Sequence, residues 1–298
     1  MCGHYDDPEY KALESHDAVP SQSTPASYSF PDDRLKQTMD DPERIPLLLV
    51  ACGSFSPITY LHLRMFEMAA DYVKFSTKFE LIGGYLSPVS DAYRKAGLAS
   101  ARHRITMCQL GVDKTSNWLM VDPWEALQKQ YSPTAKVLDH FDYEINIRRG
   151  GIDIGNGARR PVRIALLAGA DLIHTMSTPG VWSEEDLDHI LGRYGTFIVE
   201  RSGTDIDEAI AGLQPWKDNI YVIQQLIQND VSSTKIRLFL RREMSVRYLI
   251  PGPVINYIEK HQLYEEDNAP SISSSTLDKG GDQDASKQQS KDKELSSN

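Results

Sequence analysis

Two short segments of the chain place hydroxyl residues and basic side chains at the start of a predicted helix. In the first, Gly53-Ser54-Phe55-Ser56-Pro57 follows an apolar run, and Thr59 and His62 fall in the first turn of the next helix. The second is Ser232-Ser233-Thr234-Lys235-Ile236-Arg237. Backbone N–H groups in a helix's first turn lack partners within the helix, and the helix dipole makes that end positive. Each segment therefore predicts an anion site, and together they would hold one polyphosphate.

The elements that must position these segments alternate along the chain. Short apolar runs predict strands over 47–51, 79–85, 118–121, 163–168, 196–200 and 220–222, and amphipathic stretches predict helices over 60–73, 99–114, 183–193, 234–242 and 253–261. A further helical segment is predicted to end near Asn146. The expected fold is α/β: a Rossmann-like, doubly wound parallel sheet with helices on both faces, in a single domain. Such sheets bind ligands at the carboxyl ends of their strands. That edge would carry Gly53-Ser54-Phe55, Ser87-Pro88, Gly169-Ala170-Asp171 and Arg201.

The two ends of the chain differ in composition from this middle part. Residues 1–44 mix Pro, Ser, Asp and Glu without a helical or alternating period, and residues 267–298 are dominated by Ser, Asp, Lys and Gln. Such segments bury too little apolar surface to offset the entropy of ordering, so both are predicted to be disordered. The folded domain is predicted over 45–266.

A glycine-rich stretch, residues 148–161, interrupts the predicted domain. Its Gly155-Asn156-Gly157 invites a dinucleotide-binding interpretation, but no predicted strand precedes it and no third glycine follows at the required spacing. We therefore expect this stretch to be a surface insertion.

Composition excludes several classes of protein. The 298 residues carry a net charge of -10, which opposes nucleic-acid binding because that binding depends on neutralising phosphates with many cations. Cys2, Cys52 and Cys108 show no paired spacing, which favours a reducing compartment. No apolar run reaches the roughly 18 residues of a membrane span, and the N-terminus resembles neither a signal peptide nor an Arg-rich presequence. We expect a protein of the nucleus, the cytoplasm or both, with no membrane or nucleic-acid partner.

Further blocks occur in order along the chain. They are Ser87-Pro88-Val89-Ser90-Asp91-Ala92-Tyr93, Val121-Asp122-Pro123-Trp124-Glu125, Gly169-Ala170-Asp171-Leu172 and Asn229-Asp230-Val231, which leads into the second helix start. With the Thr-x-x-His pair, they make residues 45–265 resemble the nucleotidyltransferase superfamily, and within it the fungal-type nicotinamide mononucleotide adenylyltransferases. The resemblance implies transfer of AMP from ATP to nicotinamide or nicotinate mononucleotide by direct in-line attack, with release of pyrophosphate.

Phosphate is already a competent nucleophile, so this reaction needs positioning and positive charge rather than a covalent intermediate. By resemblance, His62, Lys235 and Arg237 would be catalytic. ATP would be bound by Ser54, Phe55, Thr59, His62, Ser232, Ser233, Thr234, Lys235, Ile236 and Arg237. Alternatives for single residues stay open, since Thr59 or His62 would also suit a helix cap.

The resemblance also assigns the mononucleotide side of the site. The residues are Ser54, Phe55, Lys95, Tyr131, Thr134, Gly169, Asp171, Val181, Trp182, Arg201 and Asn229. Trp182 would stack on the pyridine ring, and Tyr131 stands where animal relatives have tryptophan. Trp182 would otherwise be a packing residue, and Asp171 would otherwise be a helix N-cap.

Mg²⁺ is the implied cofactor, held through the ATP phosphates, and no protein metal ligand is predicted because Mg²⁺ usually keeps several waters. The resemblance further implies a homo-oligomer. Two other functions remain open from the sequence: a sibling adenylyl- or cytidylyltransferase with another phosphate acceptor, and a nucleotide-binding chaperone or scaffold. A P-loop kinase or ATPase is disfavoured because the chain lacks a Gly-x-x-x-x-Gly-Lys-Ser/Thr segment.

Overall fold

The structure is a computed structural model that describes residues 28–155, 157–200 and 206–265. The predicted disorder of residues 1–27 and 267–298 lies outside the described residues, as does the predicted site residue Arg201. In the part of the chain that is described, no helix is both long and apolar enough to cross a membrane.

The described strands and helices follow the predicted alternation. The strands are β1 (Ile45–Gly53), β2 (Phe79–Pro88), β3 (Leu119–Val121), β4 (Ile152–Asp153), β5 (Arg159–Arg160), β6 (Arg163–Gly169), β7 (Thr196–Val199) and β8 (Ile220–Ile223). The α-helices are α1 (Tyr60–Ser76), α2 (Ala101–Asp113), α3 (Thr134–Asp142), α4 (Ala170–Ser177), α5 (Glu184–Leu187), α6 (Ile206–Ala211), α7 (Ser233–Arg241) and α8 (Gly252–Lys260). The predicted helix over 183–193 is α5 followed by a π-helical segment, Asp188–Tyr194. Sequence patterning did not predict α4 or α6.

Six strands form one parallel sheet in the order β3-β2-β1-β6-β7-β8. The chain moves outward from β1 to β3 and then returns to the other side of β1, so the strand order reverses between β1 and β6. Doubly wound sheets bind ligands at this switch point. The predicted Rossmann-like α/β class is confirmed.

The central strand β1 is buried on both faces, as expected for a parallel sheet covered by helices. Leu48 and Val50 pack in one core with α3 and α4, whereas Leu47 and Leu49 pack in the other with α1, α2 and α8. The two cores fix β1 in the middle of the molecule. Its carboxyl end, Gly53, is therefore held at the switch point.

Residues 28–44, which we call the N-terminal strap, are packed against the domain. The prediction that disorder reaches residue 44 is wrong for them, because Phe30 and Met39 are buried and join the core beside α3. The Tyr85 hydroxyl donates to the Pro31 carbonyl at 2.8 Å, and Lys36 pairs with Glu80 at 2.5 Å. These contacts lack a regular period, so the sequence pattern did not reveal them.

Residues 148–161 contain the antiparallel hairpin β4–β5. The expectation that no strand precedes Gly155 is wrong, since β4 ends two residues before it. The hairpin is antiparallel, however, and no helix follows the glycines, so a dinucleotide-binding loop is excluded by the geometry. The amide of Met39 in the N-terminal strap donates to the Asp153 carbonyl at 2.9 Å, which attaches the hairpin to the strap.

Candidate active site

A cavity of about 350 Å³ lies at the carboxyl ends of β1, β6 and β7, beside the switch point. This volume falls within the usual range for small-molecule sites. Eight of the predicted site residues line it: Ser54, Phe55, His62, Gly169, Asp171, Asn229, Ser232 and Ser233. Three segments that are distant in the sequence therefore meet at one cavity.

The loop between β1 and α1 forms one wall of the cavity. Phe55 adopts a left-handed backbone conformation with φ 44°, and its ring meets the His62 ring edge-on, with 5.2 Å between centroids. Thr59 is fully buried and is the N-cap of α1. Its hydroxyl accepts the His62 backbone N–H at 3.4 Å, while the His62 ring accepts the Thr59 backbone N–H, which completes a capping box. Thr59 is thus a helix cap, and its phosphate role stays a prediction.

The same capping box sets the tautomer of His62. The Thr59 backbone N–H donates to His62 Nδ1 at 3.0 Å. An amide N–H is only a donor, so Nδ1 must be unprotonated, and a neutral ring must carry its hydrogen on Nε2. Burial lowers the pKa of His62 to about 4, although the ring keeps some exposure where it lines the cavity. At neutral pH, His62 therefore offers an Nε2–H donor without a charge.

The second helix start, at α7, is bonded directly to the first. Ser232 caps α7 by accepting the Lys235 backbone N–H at 3.2 Å. The Ser233 hydroxyl donates to the Pro57 carbonyl at 2.8 Å, a link between residues 176 positions apart. These contacts bring two helix N-termini to one cavity, as the sequence predicted.

The two predicted catalytic cations occupy different environments. Arg237 is buried, and its Nη1 donates to the Ser56 carbonyl at 2.8 Å. Lys235 is half exposed, and its ammonium group contacts Asp230 at 2.5 Å. Neither residue is part of the cavity wall. In this structure Arg237 supports the loop between β1 and α1, residues 54–59, which we call the phosphate loop after its predicted role. Lys235 lies at the surface of α7.

Arg104 is a site residue that the sequence analysis missed. It is fully buried in α2 and donates to the Ser54 carbonyl at 3.1 Å and the Ala99 carbonyl at 2.8 Å. A third contact joins its Nη2 to Asp91 at 3.1 Å. The available signal was its place on the apolar face of α2, one turn before the buried Cys108. An arginine on such a face needs buried acceptors, and the phosphate loop supplies one.

Polar residues at other strand ends were also missed. Glu200 follows β7 and Gln225 follows β8, and both line the cavity. The rule that placed Asp171 would have found them, since each comes just after the carboxyl end of a strand. Asp171 itself lies in the first turn of α4, where Gly169 is the N-cap, so the alternative interpretation of Asp171 as the cap is wrong.

A buried carboxyl group lies behind the cavity wall. The Ser87 hydroxyl donates to Glu125 at 2.6 Å, and burial, with a smaller contribution from Asp122, raises the pKa of Glu125 to about 8. Cys52 lines the cavity, and burial, followed by the nearby Glu125, holds the pKa of its thiol well above the usual range. The Cys52 thiol is therefore protonated and is a weak nucleophile.

The predicted pyridine-binding residues do not line the cavity. They are Lys95, Tyr131, Thr134, Val181 and Trp182. Tyr131 stacks on Tyr93 with 5.8 Å between ring centroids, and Thr134 is the first residue of α3. Trp182 donates its indole N–H to the Thr175 hydroxyl at 3.2 Å and packs partly against the core. The structure thus brings eight predicted site residues to one cavity, but this group is not among them.

Comparison with known proteins agrees with the fold. A family model described as cytidylyltransferase-like matches residues 50–239. The nicotinamide/nicotinic acid mononucleotide adenylyltransferase 2 of Saccharomyces cerevisiae is 55% identical over 86% of this chain and 65% of its own length. The nicotinamide/nicotinic acid mononucleotide adenylyltransferase of Schizosaccharomyces pombe is 57% identical, and the match covers 80% of this chain and 66% of the relative. Adenylyltransferase 1 of Bos taurus is 39% identical, and the match covers 77% of this chain and 92% of the relative.

Among solved structures, the Plasmodium falciparum nicotinic acid mononucleotide adenylyltransferase complexed with NaAD has a TM-score of 0.53. The two sequences are 22% identical, and the match covers 74% of this chain and 97% of the Plasmodium falciparum chain. This similarity supports the fold. The present chain spans slightly less than two thirds of the length of the two yeast relatives. It belongs to the nicotinamide/nicotinic acid mononucleotide adenylyltransferase family of cytidylyltransferase-like proteins.

Proposed function

We propose that this protein transfers AMP from ATP to nicotinamide mononucleotide, and also to nicotinate mononucleotide, in the synthesis of NAD. The observation that carries the proposal is the bond from Ser233 to the Pro57 carbonyl, which brings two helix N-termini to one cavity. Each N-terminus offers partial positive charge to an anion. The relatives' names supply the substrates, and the Plasmodium falciparum enzyme is complexed with NaAD, a dinucleotide product of this type.

In the proposed reaction, a phosphate oxygen of the mononucleotide attacks the α-phosphorus of ATP. A bond forms between that oxygen and the phosphorus as the bond to the oxygen bridging the α- and β-phosphates breaks. Pyrophosphate leaves with the bonding electron pair, so negative charge grows on its oxygens. No proton has to be removed from the nucleophile, since it is already an anion.

The side chains therefore act by aligning two anions and by stabilising charge as it moves. The His62 Nε2–H is a neutral donor on the cavity wall, fixed in orientation by the bond from Thr59 to Nδ1. Arg104 and Arg237 hold carbonyls of the phosphate loop from beneath at 3.1 and 2.8 Å. A loop held in this way needs little rearrangement during the reaction, which is the condition for effective electrostatic stabilisation.

We propose that a divalent cation, Mg²⁺, takes part and is held by the ATP phosphates. Within the described ranges, no group of three His, Cys, Asp or Glu side chains is arranged to hold a metal ion. The cavity wall does carry the carboxylates of Asp171 and Glu200, which suit water molecules around such an ion. When bound, the ion would neutralise part of the triphosphate charge.

Several parts of the proposal rest on family resemblance. Tyr131 and Trp182 are proposed to hold the pyridine ring, with Lys95, Thr134 and Val181 beside them, and Arg201 is proposed to contact ribose or phosphate. Homo-oligomer formation and a location in the nucleus or cytoplasm also stay predictions. Light scattering of the purified protein and imaging of a fluorescent fusion would test these last two.

The direct test incubates the purified protein with Mg²⁺, ATP and each pyridine mononucleotide, and measures the dinucleotide and pyrophosphate together. We expect equal amounts of both products. Replacing ATP with CTP tests whether CTP is the nucleotide donor, and omitting the mononucleotide measures background ATP hydrolysis. Absence of dinucleotide with both mononucleotides would overturn the proposal, and binding of ATP without turnover would favour the scaffold alternative.

A further inference from the structure

The first described residue of the N-terminal strap, Tyr28, belongs to a buried network of hydrogen bonds. The Tyr28 hydroxyl donates to Asp122 Oδ1 at 2.9 Å and lies 2.9 Å from His140 Nε2. The same His140 nitrogen is 3.0 Å from Asp122 Oδ2. Asp122 and His140 are both buried, and burial, followed by Asp122, raises the pKa of Tyr28 above its usual range. The phenol therefore stays protonated and donates to the carboxylate.

Asp122 is the first residue of the loop that joins β3 to α3, residues 122–133, which we call the β3–α3 loop. Its Oδ1 also accepts the backbone N–H of Trp124 at 3.1 Å. One carboxylate therefore joins the N-terminal strap, α3 and the start of this loop. Because the group is buried, loss of a donor would leave acceptor capacity without a partner.

Trp124 is positioned by the same network. Its indole stacks on the His140 ring with 4.2 Å between centroids and an angle of 6° between planes. Its Nε1 is buried and has no hydrogen-bond partner among the described residues. The orientation of the indole is therefore set by stacking on His140, whose ring is in turn held by Tyr28 and Asp122.

The far end of the β3–α3 loop carries Tyr131, and α3 begins at Thr134. Both are residues that we propose to contact the mononucleotide. At this end, Tyr131 stacks on Tyr93, and the Ser90 hydroxyl donates to the Gln130 carbonyl at 3.4 Å. The start of the loop is held at Asp122 and Trp124, where the strap reaches it, and at Glu125, which accepts from Ser87 at 2.6 Å.

We propose that Tyr28 is a positioning residue for the mononucleotide side of the site, acting through Asp122, His140 and Trp124 on the β3–α3 loop. The inference rests on the proposed function and deepens it, because it makes the strap part of acceptor binding. Tyr28 acts at a distance from the phosphate loop, which is held by Arg104, Arg237 and Ser233. Its loss should therefore affect the mononucleotide far more than ATP.

The test compares Tyr28→Phe with Tyr85→Phe in the full chain. Both changes remove one phenol hydroxyl that attaches the strap, but the Tyr85 hydroxyl donates to the Pro31 carbonyl rather than to Asp122. We expect Tyr28→Phe to raise the KM for nicotinamide mononucleotide about 3- to 10-fold, as loss of one buried hydrogen bond would. The KM for ATP should stay within about 2-fold. Tyr85→Phe should leave both KM values near those of the unchanged protein.

His140→Gln is a second variant, because it removes the ring on which Trp124 stacks but keeps a polar partner for Tyr28. It should give the same selective rise in the KM for the mononucleotide. Equal rises in both KM values for Tyr28→Phe, no rise in either, or an identical result for Tyr85→Phe would overturn the inference. If the protein without substitutions makes no dinucleotide, that result would instead overturn the proposed function, and this inference with it.

Discussion

The phosphate side and the pyridine side of the proposed site are built in different ways. On the phosphate side, the loop after β1 and the start of α7 are joined by Ser233 and supported by Arg104 and Arg237. On the pyridine side, Tyr131 and Trp182 stand on separate loops, and each contacts a nearby side chain, Tyr93 or Thr175. The loop after β1 and the start of α7 contribute Ser54, Ser232 and Ser233 to one cavity, whereas Tyr131 and Trp182 do not line it.

The difference follows from what each ligand group requires. A phosphate is bound well by backbone N–H groups, which are fixed once the sheet and its helices have formed. A flat heteroaromatic ring is held well between aromatic faces, which the proposed site takes from side chains on two loops. The proposed phosphate site therefore depends on the sheet topology, whereas the proposed pyridine site depends on loops whose support lies elsewhere in the chain.

The largest expected effect tests the phosphate side at His62. His62→Ala should lower turnover roughly 100-fold, because it removes a preorganised donor to the transition state. The Thr59 hydroxyl can still accept the backbone N–H of residue 62, so α1 should keep the main part of its N-terminal cap. Steady-state rates and urea unfolding of the same preparation separate the two effects. Turnover near that of the unchanged protein would remove His62 from the mechanism.

The second prediction separates the two cations of α7. Arg237→Met should lower the free energy of unfolding by about 1.5–3 kcal/mol, because the Ser56 carbonyl loses a charged, buried donor. Lys235→Met should change it by less than about 1 kcal/mol, since its pair with Asp230 is exposed. The family resemblance assigns Lys235 to the ATP phosphates, so the KM of Lys235→Met for ATP should rise roughly 10-fold through loss of a charged hydrogen bond. Urea unfolding measures the free energy of unfolding of both variants, and initial rates measure their KM for ATP. Equal losses of stability in the two variants would contradict the distinction.

The third prediction concerns the buried carboxyl behind the cavity. The pKa of Glu125 is raised to about 8, so the folded state keeps a proton that the unfolded chain loses near pH 4.5. Stability should therefore fall as pH rises from about 4.5 to 8, by up to about 1.4 kcal/mol per pH unit. In Glu125→Gln, which retains an acceptor for Ser87, the loss between pH 6 and 8 should be smaller. Urea unfolding at both pH values checks this, and identical losses in the two proteins would refute it.

The smallest expected effect tests the pyridine side. Trp182→Ala should raise the KM for the mononucleotide about 2- to 10-fold, the equivalent of one lost stacking contact, with little change for ATP. Trp182→Phe keeps an aromatic face and should recover most of the affinity. If the Trp182→Ala variant instead binds ATP more weakly and unfolds at a lower temperature, the residue has only a packing role.

Sequence patterning predicted the six strands of the sheet and the two helix starts because each is a local signal. The apolar run of β1 and the hydroxyl residues before α7 are visible without knowing their neighbours. The supports of the site are different, since Arg104 meets a carbonyl 50 residues away and Ser233 meets one 176 residues away. No local period encodes such contacts.

The N-terminal strap was mispredicted for a related reason. Phe30 and Met39 are isolated apolar residues in a polar segment, and they are buried only because the domain offers a surface to them. Polar groups of the strap also bond to Glu80, Asp122 and the β3 strand, which are distant in the sequence. Composition alone therefore indicated disorder where long-range contacts supply order.

The central claim is that the phosphate side presents a neutral imidazole with its hydrogen on Nε2. Nitrogen-15 NMR of the ring, assigned by comparison with His62→Ala, measures this directly. We predict that His62 is neutral at pH 7, carries its proton on Nε2, titrates near pH 4 and shifts at Nε2 when ATP and Mg²⁺ are added. A ring that is charged at pH 7, or that carries its proton on Nδ1, would contradict the account.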